Sequence, residues 1–229
     1  MRTSKIVALV ILIGLCVAVQ MSRSDAKEKK MSTTSIIADS PEQIQPITVG
    51  QPVPRISLKT VDGTSYDLNA AFVQKPTVLV FYRGGWCPYC NLQLSGLQKI
   101  EQDLLKAGFQ IIAVSPDRPE KLKESVAKHA LTCRLLSDNE MSAATALGVA
   151  FHLNNDLVAK YKNEYKIDIE GDSGHAHHLL PVPAVFIVGK DGVIQFLYFN
   201  PDYRVRLDSE ELLSAARAYL ERIGTTDSR

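Results

Sequence analysis

Cysteine is scarce in this chain, and net charge is close to absent. Only four cysteines occur in 229 residues, and Cys16 falls inside an apolar N-terminal run that reads as a leader. Cys87, Cys90 and Cys133 remain, an odd number that excludes a fully paired disulfide framework. A formal charge of +1, from 26 basic and 25 acidic residues, leaves no field that would recruit nucleic acid or an anionic membrane. There is no internal repeat, no long low-complexity tract and no second Cys-x-x-Cys. Small molecules and other proteins are the partners this balance permits.

The apolar run, residues 6–19, follows Arg2 and Lys5 and is short of the ~20 apolar residues that span a bilayer. With the small residues of Ser24-Asp25-Ala26 behind it, the segment 1–26 reads as an export signal; an uncleaved membrane anchor is the alternative. An exported, periplasmic or otherwise extracytoplasmic protein is therefore expected, with N-terminal membrane association under the second reading. Residues 27–48 are polar and aperiodic and read as a linker, 49–224 as one domain, and 225–229 as a tail. At 45% hydrophobic residues the chain has the material for one sizeable core.

Within the domain, Ile56-Ser57-Leu58 and Ser65-Tyr66-Asp67-Leu68 flank Asp62-Gly63, which predicts a hairpin. Thr77-Val78-Leu79-Val80-Phe81-Tyr82 is apolar without alternation, as in a strand buried on both faces. Leu94, Leu97, Ile100 and Leu104 then recur at helical spacing until Gly108. A strand at 109–114, a helix at 120–129, a short strand at 134–136 and a helix at 141–147 continue an α/β layer pattern. Residues 149–180 fit no regular pattern and read as an insertion. Strands at 184–188 and 193–198 around Gly189-Lys190-Asp191-Gly192 form a second hairpin, and a helix with Leu212, Leu213, Ala216 and Leu220 on one face begins at Asp208.

Cys87-Pro88-Tyr89-Cys90 sits between a buried strand and an amphipathic helix. Two intervening residues at a helix start bring two sulfurs to bridging distance, and the helix N-terminus favours a thiolate. The competing readings are a zinc half-site, which would need Cys133 or distant histidines, and a merely structural disulfide. Val182-Pro183 directly precedes a buried strand; taken alone, Pro181 and Pro183 read as trans in an ordinary loop, and only the fold context turns the expectation at Val182-Pro183 to cis. Gly174-His175-Ala176-His177-His178 could offer imidazoles to a transition metal, or form a loop with none. Cys133 reads as a small buried hydrophobe, with a remote resolving thiol as the alternative. Asn200 to Arg206 reads as part of a cleft rim, or as ordinary turn chemistry.

Gly50-Gln51-Pro52-Val53-Pro54, the first hairpin, Val80-Phe81-Tyr82, the CPYC turn, Leu136-Ser137-Asp138 and the hairpin at 189–192 together resemble the alkyl hydroperoxide reductase and thiol-specific antioxidant family, peroxiredoxin-like proteins on a thioredoxin fold. The resemblance implies a thioredoxin-like α/β fold: a central mixed sheet flanked by helices, an N-terminal β-hairpin, and a His-containing insertion before the cis-Pro strand. It implies a thiol-dependent antioxidant oxidoreductase that reduces hydroperoxides or disulfides through Cys87 and Cys90. No cofactor and no metal are implied, and a thioredoxin-type dithiol donor recycles the pair. That family's signature of Pro, three residues, Thr, two residues, Cys falls here on Arg83, Cys87 and Cys90, so Cys90 matches the peroxide-reducing cysteine and Pro183 stands at the second catalytic arginine. The CPYC turn is similar to glutaredoxin turns, and Trp86 before it to thioredoxins; on that template Cys87 attacks, and Pro183 matches the cis-proline. Trp86, Pro88, Tyr89, Arg83 and Pro183 are thus the expected supporting residues. A protein disulfide oxidoreductase without peroxidase activity, and a redox-inactive binding module on the same fold, are the alternatives.

Overall fold

The computed structural model describes residues 37–129 and 132–226. The leader, most of the charged part of the linker, and the last three residues lie outside the described residues. So does Cys16. Among the described residues no helix is long and apolar enough to cross a membrane.

Of the stretch read as linker, residues 37–48 lie against the domain instead. Ile44 is buried, Ile47 N–H donates to the Leu147 carbonyl (3.1 Å), and Ala38 bridges to Phe151. A single buried isoleucine among polar neighbours carries no periodicity, which is why the segment looks like a tether in sequence.

The strands are β1 (Ser57–Thr60), β2 (Ser65–Asp67), β3 (Thr77–Phe81), β4 (Gln110–Ser115), β5 (Arg134–Ser137), β6 (Ala150–His152), β7 (Leu179–Pro181), β8 (Ala184–Val188) and β9 (Ile194–Phe199). The helices are α1 (Leu68–Gln74), α2 (Pro88–Lys106), α3 (Pro119–His129), α4 (Ser142–Ala146), α5 (Asn155–Asn163), α6 (Ile169–Ser173) and α7 (Ser209–Thr226). Seven strands form one mixed sheet in the order β2-β1-β5-β4-β3-β8-β9, with β3, β4 and β5 parallel and β8 antiparallel to β3. This is the α/β, thioredoxin-like arrangement expected from the sequence.

Strand β3 lies inside the sheet, and its side chains divide between two apolar layers. Val78, Val80 and the following Tyr82 join Leu94, Leu97 and Leu104 of α2, Leu122 of α3 and Leu213 of α7. Leu79 and Phe81 face the other way, onto Phe72 of α1, Ala143 of α4 and Phe186 of β8. Both cysteines of the CPYC turn belong to the first layer. Gly108, at φ +90°, ends α2 in a left-handed conformation that favours glycine, where the sequence placed the stop.

The segment that fits no pattern in sequence folds as β6, α5, α6 and β7. Asn154 and Asp168 cap its helices, accepting from Leu157 N–H (2.8 Å) and Gly171 N–H (3.1 Å). Strands β6 and β7 form a two-stranded sheet of their own, to which Ala38 adds a parallel bridge at Phe151, and Phe151, Val158, Tyr161, Ile169, Leu180 and Val182 form a third apolar cluster. Trp86 packs against both this cluster and the main layer, so the insertion meets the domain at the CPYC turn.

The expected cis bond at Val182–Pro183 is corrected: no peptide bond among the described residues is cis. Val182 N–H donates to the Val149 carbonyl (2.8 Å), and Ala184 is already in register with Phe81 and Phe199. The two residues between β7 and β8 are thus held from both ends, and a trans amide continues the chain from one sheet to the other.

Candidate active site

The CPYC turn is built by the end of β3 and the start of α2. Cys87 is the N-cap of α2, with extended backbone (φ −84°, ψ 113°), and Pro88 occupies the first turn, where its missing N–H costs nothing. Cys87 N–H donates to the Gly84 carbonyl, and Cys90 N–H to the Cys87 carbonyl, each at 3.1 Å. Both sulfurs are free thiols and almost fully buried, at 1% exposure for Cys87 and 0% for Cys90.

The pair is electrostatically unequal. The Cys90 thiol donates to Cys87, and with the Cys90 backbone N–H and the Arg83 and Arg206 guanidinium groups it draws the Cys87 thiol down to about 6. Cys90 is pushed well above the usual thiol range, first by burial and then by donating its proton toward Cys87. The environment thus favours the thiolate on Cys87 and the proton on Cys90.

Two arginines face that charge. Arg206 Nη2 donates toward Cys90 Sγ (3.4 Å) and Cys87 Sγ (3.9 Å); Nη1 donates to Gln93 Oε1 (2.9 Å) and Nε to the Tyr203 carbonyl (2.7 Å). Its fork is thus fixed by α2 and by the loop after β9, which leaves one edge for sulfur. Arg83 is only 4% exposed. Its guanidinium lies 4.2 Å from the Tyr203 ring centroid and 5.3 Å from that of Trp86, while Nη2 donates to the Tyr161 hydroxyl. Among the described residues, no carboxylate stands within ion-pair distance of it.

Arg83, Phe151, Tyr161, Val182 and Tyr203 line a mostly apolar cavity of about 230 Å³. Helix α5 contributes Tyr161, so the insertion supplies one wall. Over the mouth of the turn, Tyr89 is exposed and meets the Tyr203 ring edge-on, with centroids 5.8 Å apart.

Of the expected residues, Cys87, Cys90, Trp86 and Arg83 come together at this site. Pro88 shapes the helix start and Tyr89 its rim, while Pro183, trans and buried, leads into β8 beside the end of β3. Arg206, Gln93, Tyr161 and Tyr203 were not expected as site residues. The only sequence signal for two of them is the run from Asn200 to Arg206 after the last strand.

Cys133 is half-buried just before β5 and packs against the main apolar layer; burial and Glu101 push its thiol up to about 11. The histidines bond to protein groups: His178 Nε2 with Glu170 Oε1 (2.8 Å), His177 Nε2 with the Asn139 carbonyl (3.0 Å), and His175 Nε2 with Asn139 Nδ2 (3.0 Å). Among the described residues, no group of three or more His, Cys, Asp or Glu is arranged to hold a metal ion.

A family model described as the AhpC/TSA family matches residues 49–197. The chain belongs to that family. It is 32% identical to the peroxiredoxin Bcp of Escherichia coli K12 over 106 residues, 46% of this chain and 67% of that protein. To the chloroplastic peroxiredoxin Q of Populus jackii it is 27% identical over 154 residues, 67% of this chain and 61% of that protein. Its fold is similar to that of the reduced Prx3 of Vibrio vulnificus, crystallised with hydrogen peroxide, at a TM-score of 0.61 and 19% identity over 74% of this chain and 99% of that one. Membership of the AhpC/TSA family makes the chain a thiol-dependent antioxidant oxidoreductase on a thioredoxin-like fold.

Proposed function

We propose that this protein reduces hydroperoxides with Cys87 as the attacking sulfur and Cys90 as the resolving one. The observation that carries the assignment is the inequality of the two thiols: Cys87 is drawn down to about 6, and Cys90 is held protonated beside it. The nucleophile is the thiolate, and its protonated neighbour is the thiol that must react second.

In the first step the Cys87 thiolate attacks one peroxide oxygen. The O–O bond breaks, the leaving oxygen takes a proton and departs as alcohol or water, and Cys87 becomes a sulfenic acid. Arg206 and Arg83 face the oxygen that gains charge. In the second step Cys90 gives up its proton, its sulfur attacks Cys87, and the sulfenic oxygen leaves as water. A dithiol donor of thioredoxin type then reduces the Cys87–Cys90 bridge by exchange and is itself oxidised to a disulfide. The leader-like segment 1–26 supports an extracytoplasmic setting for this cycle.

The test uses Cys87→Ser and Cys90→Ser with stoichiometric hydrogen peroxide and a sulfenic-acid trapping reagent. Cys90→Ser is expected to give a trapped adduct on Cys87, and Cys87→Ser none. An adduct on Cys90 in Cys87→Ser would reverse the roles, as alignment with the family's signature has them. If the wild-type protein ignores peroxide yet reduces a model protein disulfide, the activity is that of a disulfide oxidoreductase.

A further inference from the structure

The Cys87–Cys90 turn is held from behind by a carboxylate that the cycle above does not use. Asp117 follows β4 by two residues and is only 2% exposed. One of its oxygens, Oδ2, accepts the Gly85 N–H at 2.7 Å, and its own N–H donates to Ser115 Oγ at 3.3 Å. The other end of the Gly85 residue is also taken, because Asn91 Nδ2 of α2 donates to the Gly85 carbonyl at 3.0 Å. The chain that delivers Cys87 is therefore suspended between Asp117 on one side and α2 on the other.

The two glycines are explained by this suspension. Gly84 has φ +140°, and a Cβ there would stand 2.8 Å from Asp117 Oδ1 and 2.4 Å from Trp86 Nε1. A Cβ on Gly85 would meet Ser125 Oγ at 2.1 Å. The backbone is bare where the carboxylate must approach.

Burial pushes the Asp117 carboxyl up to about 7, and among the described residues no cation is within ion-pair distance of it. The groups that face it are Tyr82 just after β3, Ser115 from β4, Lys121 from α3 and Asp172 from α6. Lys121 is directed to Glu124 (3.1 Å) and Asp172 (3.8 Å) instead. Asp117, Lys121, Glu124, Ser125 and Asp172 line, with Trp86, a polar pocket of about 190 Å³ that shares no residue with the cavity at Arg83.

We propose that Asp117 is a positioning residue of the redox pair: by holding the Gly85 amide it fixes the height of the turn at which Cys87 meets Cys90, and so governs closure of the bridge. The proposal rests on Cys87 and Cys90 being the reacting pair. It requires an oxygen acceptor at this position, and the hydrogen bond is what acts, through the backbone, on the sulfurs.

The experiment is single-turnover closure of the Cys87–Cys90 bridge after one equivalent of hydrogen peroxide, in Asp117→Ala and Asp117→Asn, with thermal melts as the control for folding. Asp117→Ala is expected to close about tenfold slower, the scale of one charge-assisted hydrogen bond. Asp117→Asn, whose side-chain oxygen still accepts from Gly85, is expected within about threefold of wild type. Closure at the wild-type rate in folded Asp117→Ala overturns the proposal; so does an Asp117→Asn as slow as Asp117→Ala. If Asp117→Ala does not fold, Asp117→Ser keeps a polar group whose shorter side chain does not reach the Gly85 N–H, and an unchanged rate there overturns the proposal equally. Failure of the parent reading looks different, since no bridge would then close in the wild-type protein.

Discussion

Arg206 Nη2 stands 3.4 Å from the sulfur of Cys90, although the two residues are 116 positions apart in the chain. The contact joins the loop after the last strand to the first turn of α2 and places a fixed cation against the sulfur pair. Its first consequence is kinetic. Arg206→Met removes the cation and keeps the bulk, so the Cys87 thiol, at about 6 in the wild type, is expected to titrate higher; loss of about 1.4 kcal/mol, one charged hydrogen bond, leaves about half of it as thiolate at pH 7 and slows alkylation there about twofold. The rate of iodoacetamide modification against pH measures both. An unchanged profile would show that Arg206 does not act on the thiolate.

The neighbouring thiol is the largest contributor to the low Cys87 value. Cys90→Ala removes that donor, whereas Cys90→Ser replaces it with a hydroxyl. The ultraviolet absorbance of the Cys87 thiolate is therefore expected to appear at higher pH in the alanine variant and to stay close to wild type in the serine variant. Identical titrations in the two variants would assign the shift to the arginines and the helix instead.

Tyr161 ties the insertion to the domain by accepting from Arg83. Tyr161→Phe leaves a buried guanidinium short of one partner, when its Nε already has none. A loss of about 1–3 kcal/mol in denaturant unfolding is expected. Equal stability would mean that water replaces the hydroxyl.

Asp117 also gives the fold a pH dependence of definite sign. Its carboxyl is raised from a usual 3.8 to about 7, so the folded chain keeps a proton that the unfolded chain has released. Its contribution favours the fold most below about 4, declines as pH rises to about 7, and is level above. Asp117→Asn has no such decline. The variant's melting temperature is expected to gain on wild type between pH 4 and 7, and parallel curves would contradict the burial argument.

Asp138 is a second buried carboxylate that holds backbone amides, here at the start of a helix. It accepts from Ala143 N–H (3.0 Å), Ala144 N–H (2.8 Å) and Ser142 Oγ (3.1 Å) at the start of α4. Asp138→Ala orphans these donors and is expected to cost about 1–2 kcal/mol, read from thermal or denaturant melts.

The parts legible in sequence are those whose physics is local. Thr77 to Tyr82 is apolar on both faces, and it became an inner strand; Gly108 ends α2 as its backbone freedom implies. The CPYC turn announced both its cysteines and its place at a helix start. Strands β6 and β7 escaped because each has three residues and its partner lies nearly thirty positions away. Arg206 escaped for a related reason: an arginine after a strand carries no mark of the sulfur it will meet. The cis bond expected before β8 was an inference from fold likeness, and local hydrogen bonds at Val182 decide otherwise.

The chain has a single tryptophan, and it is Trp86, the residue before Cys87. Its ring lies 5.8 Å from that of Tyr161 and packs on both the insertion and the main layer. The protein therefore carries one indole emitter, seated beside the CPYC turn, with no other to dilute it. A change of sulfur chemistry at Cys87, or a shift of the insertion, falls on that one fluorophore, so the cycle can be followed in the unlabelled protein as it turns over.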